Sequence, residues 1–179
     1  MKISIDKVTI NDIQKLREIG RSTFYEAFAN VNTEDDMKDY LEKSFSEEKL
    51  KTELNHKDSQ FYFARVDGNV VAYLKINLGE AQNENIDNAV EIERIYVLKA
   101  FHGKKVAQVL YQKAIDIACE QGVRYMWLGV WEENHRALRF YEKNGFKAFG
   151  KHAFWLGKDE QTDLLMKKEL AHSNELKTS

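Results

Sequence analysis

The stretch VLKAFHGKKVAQVLYQKA, residues 97–114, decides the reading of this chain. It leaves an apolar, strand-like end at Val97 and Leu98, crosses a short basic turn and enters a helical pattern. Val106, Leu110, Ala114 and Ile117 repeat on one face of that helix, up to a stop at Gly122. Lys99, Lys104, Lys105 and Lys113 fall within the stretch and no acid does. A strand that passes through a tight turn into a helix aims several free backbone N–H groups at one point, where an anion such as phosphate is favoured. Gly103 removes a side chain where a ligand would approach, and Lys104 and Lys105 add charge at the rim. The same lysines fit an ordinary solvated helix face, so the turn alone leaves both readings open. Neither a GxGxxG fingerprint nor a GxxxxGK[ST] loop is present, which counts against nicotinamide cofactors and nucleoside triphosphates.

Outward from the turn, the periods of strand and helix alternate. VEIERIYVL (90–98) reads as a strand, and before it FYFARV (61–66), an Asp67-Gly68-Asn69 turn and VVAYLKINL (70–78) read as a β-hairpin. Further back, KISIDKV (2–8) alternates like a strand, and Asn11 or Asp12 offers a cap for a helix through Ile13, Leu16 and Ile19. Thr33 ahead of Met37, Tyr40 and Leu41, and Ser46 ahead of Leu50 and Leu54, mark two amphipathic helical segments across residues 33–54. On the other side, RYMWLGVW (124–131) reads as a strand. Asn134 caps a helix carrying Ala137, Leu138, Phe140 and Tyr141 that ends at Asn144-Gly145, and short strands near 146–149 and 162–168 close the pattern. The order β-α-α(-α)-β-β-β-α-β-α-β-β predicts an α/β (α+β) fold of three layers, a mixed central sheet with helices on both faces.

The 179 residues, 43% of them apolar, suit one domain over residues 1–170, with a polar tail at 171–179 expected to be disordered. A net charge of −2 and a pI near 6.2 give no general attraction to nucleic acid or an anionic membrane. No apolar run approaches the ~20 residues of a membrane span, so a soluble, cytoplasmic protein is expected. Cys119, the single cysteine, excludes an intrachain disulfide and reads as a small buried residue. The five histidines lack the close spacings of zinc sites, and no metal is expected.

The opening stretch resembles the acyl-CoA-binding motif of the GNAT superfamily of N-acetyltransferases, V-x-P-x-x-R/Q-G-x-G-x-G/A. Val97, Gly103 and Ala107 match, while Lys99, His102 and Lys105 stand at the proline, Arg/Gln and central glycine positions. NHRALRFYEKNGF (134–146) matches the family's second signature, N-x-x-A-x-x-x-Y-x-x-x-G-F, at every marked position. More narrowly, EIERIYV, WLGVWEENHRALRFYEKNGF and EQTDLLMKKEL resemble the PaiA-type spermidine/spermine N-acetyltransferases. The resemblance implies a GNAT-like fold and acetyl-CoA as cosubstrate, gripped at pyrophosphate by His102, Gly103, Lys104, Lys105, Val106 and Ala107. It further implies that the strand edge Ile95, Tyr96 and Val97 pairs with pantetheine, with an N–H near Val97 polarising the acetyl carbonyl. Asn134 and Ala137 then border the pantetheine arm, and Lys143 the nucleotide end.

Acetyl transfer to an amine needs the amine without its proton and an acid for the leaving thiolate. A primary amine of pKa ~10.4 arrives protonated. Glu91 and Glu93, two apart on a strand and so on one side of it, are the candidate bases, one working through a water while the other holds the cationic acceptor. Either can be the base, with Glu93 placed first; a pair of surface carboxylates is the alternative. By resemblance Tyr141 lies near the CoA sulfur as proton donor, although a tyrosine in this apolar cluster also fits simple packing. Residues 79–93 carry Glu80, Glu84, Asp87, Glu91 and Glu93 and no base, which suits a cationic partner as well as a solvated loop. Tyr96, Trp127, Trp131 and Trp155 are candidates to line an amine tunnel, with most expected in the core. The expected function is acetyl transfer to a polyamine by direct attack, in a monomer or homodimer. Another small amine or a protein amino group, or a catalytically weak acyl-CoA-binding regulator, are the alternatives.

Overall fold

Alternation, turn chemistry and capping build the elements largely where the sequence reads them. The computed structural model describes residues 1–171. Its strands are β1 (Ile3–Lys7), β2 (Ser59–Val66), β3 (Asn69–Asn77), β4 (Ala89–Val97), β5 (Tyr125–Trp131), β6 (Lys147–Leu156) and β7 (Asp159–Glu169). Its α-helices are α1 (Ile13–Phe28), α2 (Glu34–Ser44), α3 (Glu47–Asn55), α4 (Val106–Glu120) and α5 (His135–Lys143). The β2–β3 hairpin closes on Asp67 (φ 49°) and Gly68 (φ 88°), with Val66 opposite Asn69, the left-handed pair that matches strand twist. Thr33 and Ser46 each accept a hydrogen bond from the third amide of the helix that follows, and acids fill both first turns, as the helix dipole favours.

One seven-stranded sheet results, in the order β1-β2-β3-β4-β5-β7-β6, antiparallel throughout except for β4 beside β5. Alternate residues of the strands serve two cores. Phe61, Phe63 and Tyr73 pack with Leu16, Ile19, Phe24, Met37, Leu41 and Leu50 of α1–α3. Leu74, Ile76, Val90, Ile92, Met126 and Leu128 pack with Leu110, Ala114 and Ile117 of α4 and Tyr141 of α5. The three layers and mixed sheet are those the element order predicts.

The structure differs from the sequence reading in the closing strands and at Cys119. The two closing strands are a long hairpin turning at Gly157 (φ 62°), and β7 lies inside the sheet between β5 and β6. Most side chains of β6, an edge strand, are exposed, so it carries no apolar alternation to read. Cys119 is exposed, because it falls outside the stripe of Leu110, Ala114, Ile117 and Ala118 that α4 buries. Beyond Ala171, the tail expected to be disordered lies outside the described residues. Among the described residues no helix is long and apolar enough to cross a membrane.

Two features of β4 prepare the site. Its parallel pairing with β5 covers only Ala89–Ile92 against Tyr125–Leu128, which leaves the facing edges of Glu93–Val97 and Gly129–Trp131 without ladder bonds. Against β3, Arg94 pairs with Lys75 and Ile92 with Ile76, so Glu93 is the extra residue of a bulge. Bulges re-aim side chains, and here consecutive residues Glu93 and Arg94 both find partners on the α1–α3 side of the sheet.

Candidate active site

Two cavities meet at the open seam between β4 and β5. The larger, about 870 Å³, lies between the end of β4, the following turn and α5. The smaller, about 380 Å³, lies between the sheet and α1–α2. Ile95, Tyr96, Asn134, Ala137 and Tyr141 line both.

The larger cavity gathers most of the residues expected to bind a cosubstrate: Val97, His102, Gly103, Lys105, Val106, Ala107 and Lys143 join the five shared ones. The amides of Gly103, Lys105, Val106, Ala107 and Gln108 make no backbone hydrogen bond among the described residues, so the start of α4 offers an anion seat. Gly103 (φ 75°) and Lys105 (φ 64°) are both left-handed, and an added Cβ at Gly103 would meet nothing within 4 Å. His102 Nε2 lies 2.8 Å from the Val97 carbonyl oxygen, which only accepts, so this nitrogen carries a proton and ties the turn to its strand. The Lys99 amide donates to Glu26 of α1 at 2.7 Å, fastening the other side. Lys104 is not brought into the cavity; its ammonium sits 4.9 Å from the Phe101 ring centre. Arg136, which the sequence reading missed, adds a cation to Lys99, Lys105 and Lys143 on the lining.

The smaller cavity has the opposite character. Glu84, Glu91, Glu93 and Asp163 line it beneath an aromatic roof, where Phe24 stacks on Phe28 and Tyr40 at 4.4 and 4.3 Å. Trp127 and Trp131 line it too, each donating its indole N–H, to Gln82 and Gln161 at 2.6 and 2.7 Å. Trp155 does not: it is 57% exposed on the edge strand, far from the role considered for it.

The two candidate bases come together but differ in surroundings. One amide nitrogen, Asn77 Nδ2, donates to Glu91 Oε2 at 3.1 Å and Glu93 Oε2 at 3.0 Å, so these oxygens lie within about 6 Å of each other. Glu91, 3% exposed, accepts further hydrogen bonds among the described residues only from Asn83, amide N–H at 2.9 Å and side chain at 2.8 Å. Burial pushes its pKa up, against those hydrogen bonds and with Glu93 adding repulsion. Burial also acts to raise Glu93, but Arg94 and Lys75, the latter in direct ion-pair contact, outweigh it and bring Glu93 down to about 2. A carboxylate held that far below neutrality is a weak proton acceptor; the one raised toward neutrality is the stronger.

Tyr141 is 5% exposed and packs edge-on against Phe140 and Phe146 at 5.3 and 5.5 Å. Its phenol makes no hydrogen bond among the described residues, and burial raises its pKa. It therefore stays protonated and able to donate at the junction of the cavities. Asn134 Oδ1 caps α5 through the Ala137 amide at 3.1 Å. Asp163 was also missed: β7 carries it opposite Trp131 and His152, burial raises its pKa against the pull of His152, and its carboxylate accepts no hydrogen bond among the described residues. Nothing in the sequence singles it out, because it follows the polar run Asp159–Thr162 and precedes Leu164, Leu165 and Met166 in a closing strand.

The cleft is two-ended, with free amides and cations on one side and carboxylates under aromatic rings on the other. Residues 22–146 match the profile of the Acetyltransferase (GNAT) family, and the chain belongs to that family. It is 41% identical over 169 residues to the uncharacterized N-acetyltransferase of the pepI 3′ region of Lactobacillus delbrueckii subsp. lactis, covering 94% of this chain and 98% of that protein. It is 27% identical to the spermidine N(1)-acetyltransferase of Thermoplasma acidophilum, covering 82% of this chain and 89% of that one. The crystal structure of PaiA N-acetyltransferase from Thermoplasma acidophilum in complex with coenzyme A superposes with a TM-score of 0.79 at 26% identity, over 95% of this chain and all of that one. This chain is thus an acetyl-CoA-dependent N-acetyltransferase of the GNAT fold.

Proposed function

We propose that the chain transfers the acetyl group of acetyl-CoA to a primary amine of a polyamine such as spermidine, by direct attack in a ternary complex. The observation that carries this is the meeting of a basic and an acidic cavity at Tyr141 and the unpaired edge of β4. Residues 1–170 act as one catalytic unit, in the cytoplasm. The pyrophosphate sits on the amides of Gly103 and residues 105–108, the pantetheine arm lies along Ile95–Val97 beside Asn134 and Ala137, and Lys143 and Arg136 face the nucleotide. Glu91 takes the proton of the acceptor ammonium, directly or through a water, and the freed lone pair attacks the thioester carbon. As the tetrahedral adduct collapses the C–S bond breaks, Tyr141 protonates the departing thiolate, and the second proton of the attacking nitrogen passes to the tyrosinate, leaving the neutral amide and the phenol.

Support for a polyamine comes from the acceptor cavity and from the Thermoplasma relative. Methylene spacers suit the aromatic roof, and ammonium groups suit Asp163, Glu84 and Glu91. The test mixes the purified chain with acetyl-CoA and spermidine, spermine, a lysine-bearing peptide or an aminoglycoside, and follows free CoA thiol. Thiol release with the polyamines that falls about 100-fold or more in Tyr141→Phe is the expected result. Release with the peptide alone overturns the polyamine assignment. Absence of release with every amine, while acetyl-CoA still raises the melting temperature, makes the chain an acyl-CoA-binding regulator instead.

A further inference from the structure

Behind the acceptor cavity lies a charge network to which neither sequence motif points. Glu53 Oε2, on α3, is 3.1 Å from Lys75 Nζ on β3 and 3.3 Å from Arg94 Nη1 on β4. Lys75 Nζ is in turn in direct contact with Glu93 Oε2. The cations are embedded in apolar surroundings: Lys75 is 5% exposed and lies 5.5 Å from the Phe61 ring centre, and the Arg94 guanidinium lies 5.5 Å from that of Phe45. Two cations face two carboxylates, with the half-exposed Lys49 ammonium 4.0 Å from Glu53 Oε1 at the rim, and the Asn77 amide connects this set to Glu91.

We propose that Glu53 is a positioning residue for proton transfer at Glu91: by balancing Lys75 and Arg94 it keeps Glu93 engaged as their counter-ion and leaves Glu91 as the carboxylate that takes the acceptor's proton. The proposal rests on Glu91 being the base. In the step concerned, an N–H bond of the acceptor ammonium breaks, the proton goes to a Glu91 oxygen, and the electron pair stays on the amine. The other charged or titratable groups lining the cavity with Glu91 are Glu84 before β4, Tyr40 on α2, Tyr96 on β4, Tyr141 on α5, His152 on β6 and Asp163 on β7; α1 brings only Phe24 and Phe28 to the cavity. None of these touches Lys75 or Arg94 through a hydrogen bond or ion pair among the described residues, so Glu53 and Glu93 are the carboxylates that pair with the two cations there.

The sign of each perturbation follows from charge. Glu53→Gln removes a negative charge, which favours ionised Glu91 and lowers its pKa. Lys75→Met removes a positive charge and raises it. Acting across the Asn77 amide and through partly buried surroundings, each change is expected to move Glu91 by roughly one pH unit. The measurement is a carbon-13 NMR titration of the full chain labelled at glutamate carboxyls, with Glu91 assigned from Glu91→Gln. It needs no amine substrate, so its failure is distinct from failure of the polyamine reading, which thiol release tests. Opposite shifts in Glu53→Gln and Lys75→Met, with Lys75→Arg within about 0.3 unit of wild type, are expected. A merely structural role destabilises both variants without opposing shifts, and shifts of one sign or none overturn the proposal. If Lys75→Met does not fold, Glu53→Gln beside Lys75→Arg still decides it, because only the former lowers the pKa.

Discussion

Lys105 holds a backbone conformation that the family's motif gives to glycine, and the cost of that departure can be worked out. Its φ of 64° and ψ of 8° place it in the left-handed region at the N-cap of α4. For an L-residue this costs about 1–2 kcal/mol through crowding of Cβ against the backbone. Lys105→Gly removes that cost but loosens the unfolded chain by about 0.4–1 kcal/mol. The net gain is about 0.5–1 kcal/mol, or about 1–4 °C in melting temperature for a chain of this size. Lys105→Ala keeps the Cβ and gains nothing. Both variants lose the ammonium that lines the cosubstrate cavity, so both are expected to bind acetyl-CoA severalfold more weakly at low salt, with the deficit fading as salt rises. Thermal unfolding of the three proteins, with and without acetyl-CoA across a salt series, measures both effects. If the alanine variant stabilises the chain as much as the glycine variant, the strain argument fails.

Asp163→Asn is expected to raise the KM for spermidine tenfold or more while leaving that of a simple monoamine such as butylamine nearly unchanged, because a second ammonium loses its charged partner; equal losses for both amines would place Asp163 outside acceptor recognition. Glu93, held at about 2 against an unfolded value near ~4.3, contributes stability that is complete above about pH 5 and is lost as pH falls toward 2. Urea midpoints at pH 6, 4 and 3 are thus expected to fall more steeply in wild type than in Glu93→Gln, and parallel declines would contradict the depressed value. Gly20 lets α1 approach Phe45 so closely that an added Cβ would lie 2.6 and 2.7 Å from ring carbons. Gly20→Ala therefore costs about 1–3 kcal/mol of overpacking, against about 1 kcal/mol of helix propensity, and a more stable variant in chemical denaturation would refute the packing argument.

Legibility in the sequence followed the range of the interactions involved. The hairpin at Asp67-Gly68, the caps at Thr33, Ser46 and Asn134 and the buried stripe of α4 depend on neighbours one to four residues away, and the sequence displays all of them. β6 and Cys119 were misread because an edge strand and an exposed cysteine follow from what packs beside them, which local pattern does not record. Lys104 and Lys105 are adjacent in the same basic turn, yet one is drawn onto Phe101 and the other lines the cavity.

By itself, then, the sequence determined the order of strands and helices, the basic turn that begins α4, the second signature on α5 and the pair of acids on β4. Only the tertiary structure decided that those acids are unequal. The bulge at Glu93 turns it toward Lys75, with Arg94 beside it, while Asn77 and Asn83 hold Glu91 through neutral hydrogen bonds. It also decided that Asp163, from the far end of the chain, reaches the acceptor cavity. The reason is physical: backbone propensity is settled within a few residues, whereas the proton affinity of a carboxylate depends on burial and on charges close in space, supplied here by segments tens of residues apart.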